Sequence, residues 1–204
     1  MKTLKRFLLF IAGICLLIAC SKSDKFWGDE PLGNTLKNGK AEPVMVTVPF
    51  KADFVLGYTD MFVNEDMCNK DDPWNNNDPV DATNPILWIV TDGSGTGTHM
   101  GNFTSHCEFC CNTFTGRYGN ASGVFIAANG DKLFWDNWGQ VVMPEPGDPD
   151  HYINKWDDPW KITGGTGRFK GATGSGMTHS YNTTLDDVSH HSWTGTITLV
   201  RGKQ

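Results

Sequence analysis

Val44, Val46, Val48, Phe50, Ala52, Phe54 and Leu56 alternate without a break with Met45, Thr47, Pro49, Lys51, Asp53 and Val55. A period of two puts each set on its own face of a β-strand. Pro49 has no N–H to give to a ladder, so a bulge or an edge is expected there. Asn64 to Asn84 is a polar run of Asp, Asn and Pro, after which Ile86 to Thr91 resumes as a strand. Gly93, Gly95 and Gly97 then strip one face of side chains. Such a strand can coil sharply or let another group come close, which suits a small barrel.

Phe103, Ser105, Cys107, Phe109 and Cys111 share one face of the next strand, and Thr104, His106, Glu108 and Cys110 the other. Ser122 to Ala127 and Lys132 to Val142 flank Asn129-Gly130, a strong hairpin signal. Pro144 to Pro159 reads as a long loop, and the last strands are Trp160 to Thr163, Gly174 to Tyr181 and Ser192 to Val200. No helical periodicity persists. Seven to nine strands in meander order close most economically on themselves, since closure removes the edges. The expected fold is therefore all-β, an antiparallel up-and-down barrel of about eight strands.

Gly164, Gly165, Gly167 and Gly171, with Phe169 among them, occupy a stretch that β-type sequence follows. A dinucleotide-binding loop must open a helix, so this is a turn whose glycines supply positive φ, with Phe169 under the sheet and Arg168 and Lys170 in water. The full run GGTGRFKGATGSG, from Gly164 to Gly176, resembles the turn-and-strand signature of bacterial proteins with an allene oxide cyclase-like barrel, related in fold to plant dirigent proteins. The likeness extends more loosely to the hairpin from Ala127 to Phe134 and the strand from Trp193 to Val200. It implies a calycin-like barrel around an apolar interior, and association into a homo-oligomer. No catalytic residue carries over, because the matching positions are glycines and turn residues.

The N-terminus adds a location. Lys2, Lys5 and Arg6 precede an apolar run from Phe7 to Ile18 that is too short to span a bilayer. It ends in Leu17-Ile18-Ala19-Cys20, which resembles the lipobox of bacterial lipoproteins. The resemblance implies a signal peptide over 1–19, a lipid-bearing Cys20, a polar tether over 20–40 and the barrel domain over 41–204. Two or three acyl chains on Cys20 would anchor the chain durably to the bacterial cell envelope, expected at the outer membrane. Loss of Lys2, Lys5 and Arg6 takes the formal charge from −6 to −9. An acidic chain with no basic run argues against nucleic acid as a partner.

Four features bear on chemistry. With Cys15 removed and Cys20 acylated, Cys68, Cys107, Cys110 and Cys111 remain. An even count in an exported protein predicts two disulfides, with Cys68 reaching one of the cluster. Zinc on a Cys107-x-x-Cys110 knuckle, completed by Cys68 or Cys111 and His99 or His106, is the sharper alternative, and free thiols are a third. The second feature is a repeated tetrapeptide, Asp71-Asp72-Pro73-Trp74 and Asp157-Asp158-Pro159-Trp160. Asp before Pro starts turns, and each Trp can fold over the barrel mouth as a lid or plug. Alternatively Trp74, Trp135, Trp138, Trp156 and Trp160 are the aromatic groups of a ligand site, stacking on a sugar or an apolar ring. Calcium in the loop from Asp66 to Asp81 is a weak option, because the glycine and closing Glu of an EF-hand loop are lacking.

Third, His179, His190 and His191 fall on or beside late strands, and His151 on a loop; solvated surface positions are expected. Fourth, His106, Glu108, Tyr58 and Asp53 could form an acid–base set if they faced the interior, though no triad spacing or paired carboxylate is visible. No cofactor or metal is expected. The leading functional expectation is an envelope lipoprotein whose barrel binds a small apolar or carbohydrate ligand, or acts as a surface module, without catalysis. A cyclase- or isomerase-like enzyme acting on an unsaturated substrate is the alternative, and an adhesion module with Trp- and Asp-bearing loops a third. An apolar cavity would favour ligand or enzyme, a buried carboxylate or His within it enzyme, and a barrel filled solid the interaction module.

Overall fold

A computed structural model describes residues 43–201; the expected signal peptide, lipid-bearing Cys20 and tether lie outside the described residues. Nine strands follow one another: β1 (Met45–Val63), β2 (Ile86–Gly97), β3 (Gly101–Asn112), β4 (Arg117–Ala127), β5 (Lys132–Gln140), β6 (Tyr152–Trp156), β7 (Pro159–Gly165), β8 (Thr173–Thr183) and β9 (Val188–Val200). All pairings between them are antiparallel, and β9 pairs with both β1 and β8. The ring is thus closed by eight strands, β1 to β5 followed by β7, β8 and β9. β6 stands outside it, paired with β8 alone in a register that β7 then continues. The segment expected to be one long loop before Pro159 therefore contains a strand. Its five residues offer no alternation that could have revealed it.

The alternation of β1 holds, with Phe50, Ala52, Phe54 and Leu56 turned inward and buried. Pro49 carries no bulge. It pairs with Thr196 of β9, in a part of β1 beyond the β2 ladder, so the open edge absorbs the missing donor. The bulge of β1 comes instead between Tyr58 and Asp60. Gly93 and Gly95 face Leu56 and Phe54 across the ladder, and a Cβ on either would meet the β1 backbone, at 1.8 Å from the Val55 carbonyl oxygen and 2.2 Å from that of Asp53. The glycine face thus lets β1 bend in tightly and close a narrow barrel.

One half of the interior is solid. Phe50, Phe103, Phe125, Trp160, Trp193, Ile162 and Ile197 pack there, and Leu133, Met100 and Phe169 plug the end. Trp160 stacks on Trp193 with centroids 5.2 Å apart and planes 7° apart. Its ring occupies the space that side chains at Gly176 and Gly195 would take. The turn behind the plug is as expected in outline: Gly164, Gly167 and Gly171 have positive φ, Gly165 lies against Phe169, and Phe169 is fully buried. Arg168 is the correction. Instead of lying in water it lies 4.9 Å over the Phe169 ring, with Asp131 beside it.

Candidate functional site

The other half of the barrel is hollow. A cavity of about 250 Å³ lies between the ends of the strands opposite the plug, walled by Leu56, Ile89, Phe109, Ala121 and Val141 and floored by Phe54, Trp135, Trp156 and Trp193. It exists because the inward positions at this end carry Thr91, Cys107, Ala121, Asn137 and Ser189, which are too short to meet across the ring. The expected cavity tryptophans divide accordingly. Trp135 and Trp156 line the cavity, whereas Trp160 belongs to the solid half.

Trp74 and Trp138 lie elsewhere, on the outer wall. Trp74 packs against Gly119 and contributes to a small outer cluster with Cys68, Trp88 and Cys110, while Trp138 is exposed. Neither repeated tetrapeptide supplies a lid. In the first, Asp72 accepts hydrogen bonds from Trp74 Nε1 at 3.3 Å and Asn120 Nδ2 at 2.7 Å, clamping the loop to β4. In the second, Asp158 lies against Gly139 and accepts from the Gln140 N–H at 3.1 Å, filling the break between β6 and β7. The first copy thus fastens the β1–β2 loop to β4, and the second the junction of β6 with β7.

The polar loop does not gather its carboxylates as calcium would need: among the described residues no three acidic, His or Cys groups converge, and several of its carboxylates have other partners. Asp78 pairs with Arg117 at 2.8 Å, and Asp81 accepts from Thr83 and Asn84.

The cysteines form one disulfide, Cys68–Cys110, as expected of Cys68. A second does not form: Cys107 and Cys111 are free. Parity sets Cys107 and Cys111 toward the cavity, away from the Cys110 sulfur that bonds to Cys68 outside, and four residues of strand, about 13 Å, keep those two from bridging each other. The same parity dismantles the zinc knuckle, because residues three apart on a strand point to opposite sides. Among the described residues no three His, Cys, Asp or Glu groups come together as a metal site. Both thiols are uncharged in this setting: burial pushes the Cys111 thiol up to about 11 and that of Cys107 higher still.

The proposed acid–base set is not in the interior. His106 lies outside between Asp92 at 2.7 Å and Glu108 at 3.2 Å, and these carboxylates raise its pKa. Asp53 is also outside, bonded to Lys51 and Ser192, and only Tyr58 lines the cavity. His179 and His190 are outer-wall residues paired with Asp157 and Asp186. His191 departs from the surface expectation, because it lines the cavity and stacks on Phe54 at 4.6 Å.

A directed chain of hydrogen bonds holds His191. Ser189 donates its hydroxyl to the Leu56 carbonyl at 3.1 Å, so its oxygen accepts from His191 Nε2–H at 2.8 Å. His191 Nδ1 then accepts from Ser180 at 3.0 Å, and Ser180 bonds to Thr178. The imidazole is neutral with both nitrogens occupied, and burial, with His190 nearby, lowers its pKa to about 3. Opposite it, the Tyr118 hydroxyl lies 2.8 Å from Asn137 Oδ1 and 3.0 Å from Asp158 Oδ2. Burial, with the Asp158 carboxylate adding to it, holds the Tyr118 hydroxyl well above its usual range; burial also raises Asp158. Signals for this cluster were present but partial. His191 shares the parity of Trp193 and Ile197, and Asn137 that of Leu133 and Trp135, but the approach of Asp158 to Tyr118 is a long-range event.

Compared with known proteins, the chain matches no family model and no curated protein.

Proposed function

We propose that this chain is an envelope-anchored lipoprotein whose barrel holds a small, mainly apolar ligand in its hollow half. The observation that carries the reading is the cavity itself, floored by aromatic rings and closed behind by the plug of Leu133, Met100 and Phe169. Ligand sites combine apolar walls with a few polar groups, as this one does. At about 250 Å³ the space suits one ring system or a short chain, since drug-sized ligands take about 300–1,000 Å³. A compact apolar ligand fits these walls better than a glycan. The anchor at Cys20 supports a place on the envelope. The outer wall agrees with a domain standing in water, because Lys51, Asp53, Asp92 and Lys161 are exposed on it, whereas a membrane-spanning barrel turns an apolar band to lipid.

Native mass spectrometry of the chain from Ser21 to Gln204, purified without reductant, tests this reading. A copurified small molecule released on denaturation is the expected result. A bare domain that stays bare when incubated with apolar compounds would refute it.

The cyclase- or isomerase-like reading shares the cavity, and one observation favours it: His191 and Tyr118 face the same space from opposite walls. Since His191 has both nitrogens occupied, such an enzyme would steer its substrate by shape. Conversion of a bound ligand to a product of unchanged mass but altered chromatographic retention is its test.

A further inference from the structure

We propose that the cavity selects uncharged, oxygen-bearing ligands and rejects carboxylates and phosphates. This rests on the ligand-binding reading above and narrows it to a chemical class. Among the described residues, no Lys or Arg is among the side chains that line the cavity. An anion taken inside would leave water without a counter-charge, the costliest way to bury a ligand.

His191 supplies no counter-charge as it is held. Its Nδ1 accepts from Ser180, so protonation there would have to turn the Ser180–Thr178 pair round. Nor do the thiols add a cation, and the Asp158 carboxylate behind Tyr118 contributes negative potential. A carboxylate on the ligand would therefore meet repulsion as well as desolvation.

Neutral polar groups are nevertheless served. Tyr58, Tyr118 and Asn137 bring uncharged polar groups to the lining. A phenol hydroxyl or an amide can hydrogen-bond a hydroxyl, ketone or ether oxygen without adding charge. Asn154 and Asn182, bonded to each other at 2.8 Å, add amide groups to the lining. The fitting ligand is a neutral alcohol, ketone or ether with a compact apolar body.

The test is a tryptophan-fluorescence titration of the chain from Ser21 to Gln204, which retains all nine strands and the whole core. The probes are decan-1-ol and decanoate, at pH 8. Decan-1-ol is expected to bind at least about 10-fold more tightly than decanoate, as an unpaired buried charge requires. Decanoate binding as tightly as decan-1-ol would leave the binding cavity standing and overturn its charge selectivity. Failure of both probes to saturate would instead overturn the ligand-binding reading, and the selectivity with it.

Discussion

Toward the plug, the inward glycines each face something large: Gly176 and Gly195 lie under Trp160, and Gly123 under Trp135. Toward the other end, Thr91, Cys107, Ala121, Asn137 and Ser189 stand among larger inward residues such as Leu56, Ile89 and Phe109, and a cavity is left between them. The same strands therefore make a core in one half and a container in the other. The difference lies in how side-chain size is paired across the ring. Large against absent fills a barrel, whereas small against small leaves it open.

The largest effect should come from emptying the solid half. Trp193→Ala removes the ring that Phe54, Phe125, Trp135 and Trp160 all touch, and is expected to cost about 3–5 kcal/mol in urea denaturation. Removing the disulfide that ties the polar loop to β3, by Cys68→Ala with Cys110→Ala, should cost about 2–4 kcal/mol for its separation of 42 residues. A thermal melt with and without reductant gives the same comparison on the native chain.

Two alanines of β4 sharpen the contrast between the halves. Ala127 is 2% exposed in the solid half, and Ala121 is 5% exposed beside the cavity. Ala127→Phe overpacks and should destabilise by about 1–3 kcal/mol. Ala121→Phe has room to enter and should change stability by less than about 1 kcal/mol. Equal losses at the two positions, measured by urea denaturation, would erase the distinction.

The pattern of β1, the glycine run of β2 and the hairpin at Asn129-Gly130 were legible because each is local: alternation, an absent side chain and a turn residue carry their own geometry. The two tryptophan tetrapeptides were not, since their placement depends on Gly119 and on Gly176 and Gly195, far along the chain. Cys107 and His191 are intermediate cases. Their inward direction follows from the parity of Phe103 and of Trp193, but residue type suggested a metal knuckle and a wet surface. Bulges weaken parity as a guide. Asn120, at a φ of 51°, interrupts the β4 register just where Tyr118 meets Asn137 and Asp158.

His191 gives a pH signature to the hollow half. Its folded pKa of about 3 lies below the usual value of 6.5, so the unfolded chain takes up the proton first as pH falls. The stability this neutral histidine confers is present above about pH 6.5 and is lost toward pH 3, at up to about 1.4 kcal/mol per unit. His191→Phe should flatten that slope in urea midpoints taken between pH 7 and pH 5. The smallest effect concerns Cys111, whose thiol at about 11 leaves on the order of a thousandth as thiolate at pH 8, so alkylation by iodoacetamide should be slow until the pH approaches that value.

The most direct test of a hollow, ligand-holding half is a paired titration with decan-1-ol, followed by tryptophan fluorescence, of the unsubstituted chain and the Ala121→Phe variant. One-to-one saturation in the former and its loss in a fully folded Ala121→Phe is the predicted result. Undiminished binding by the folded variant would place the ligand elsewhere and contradict the account.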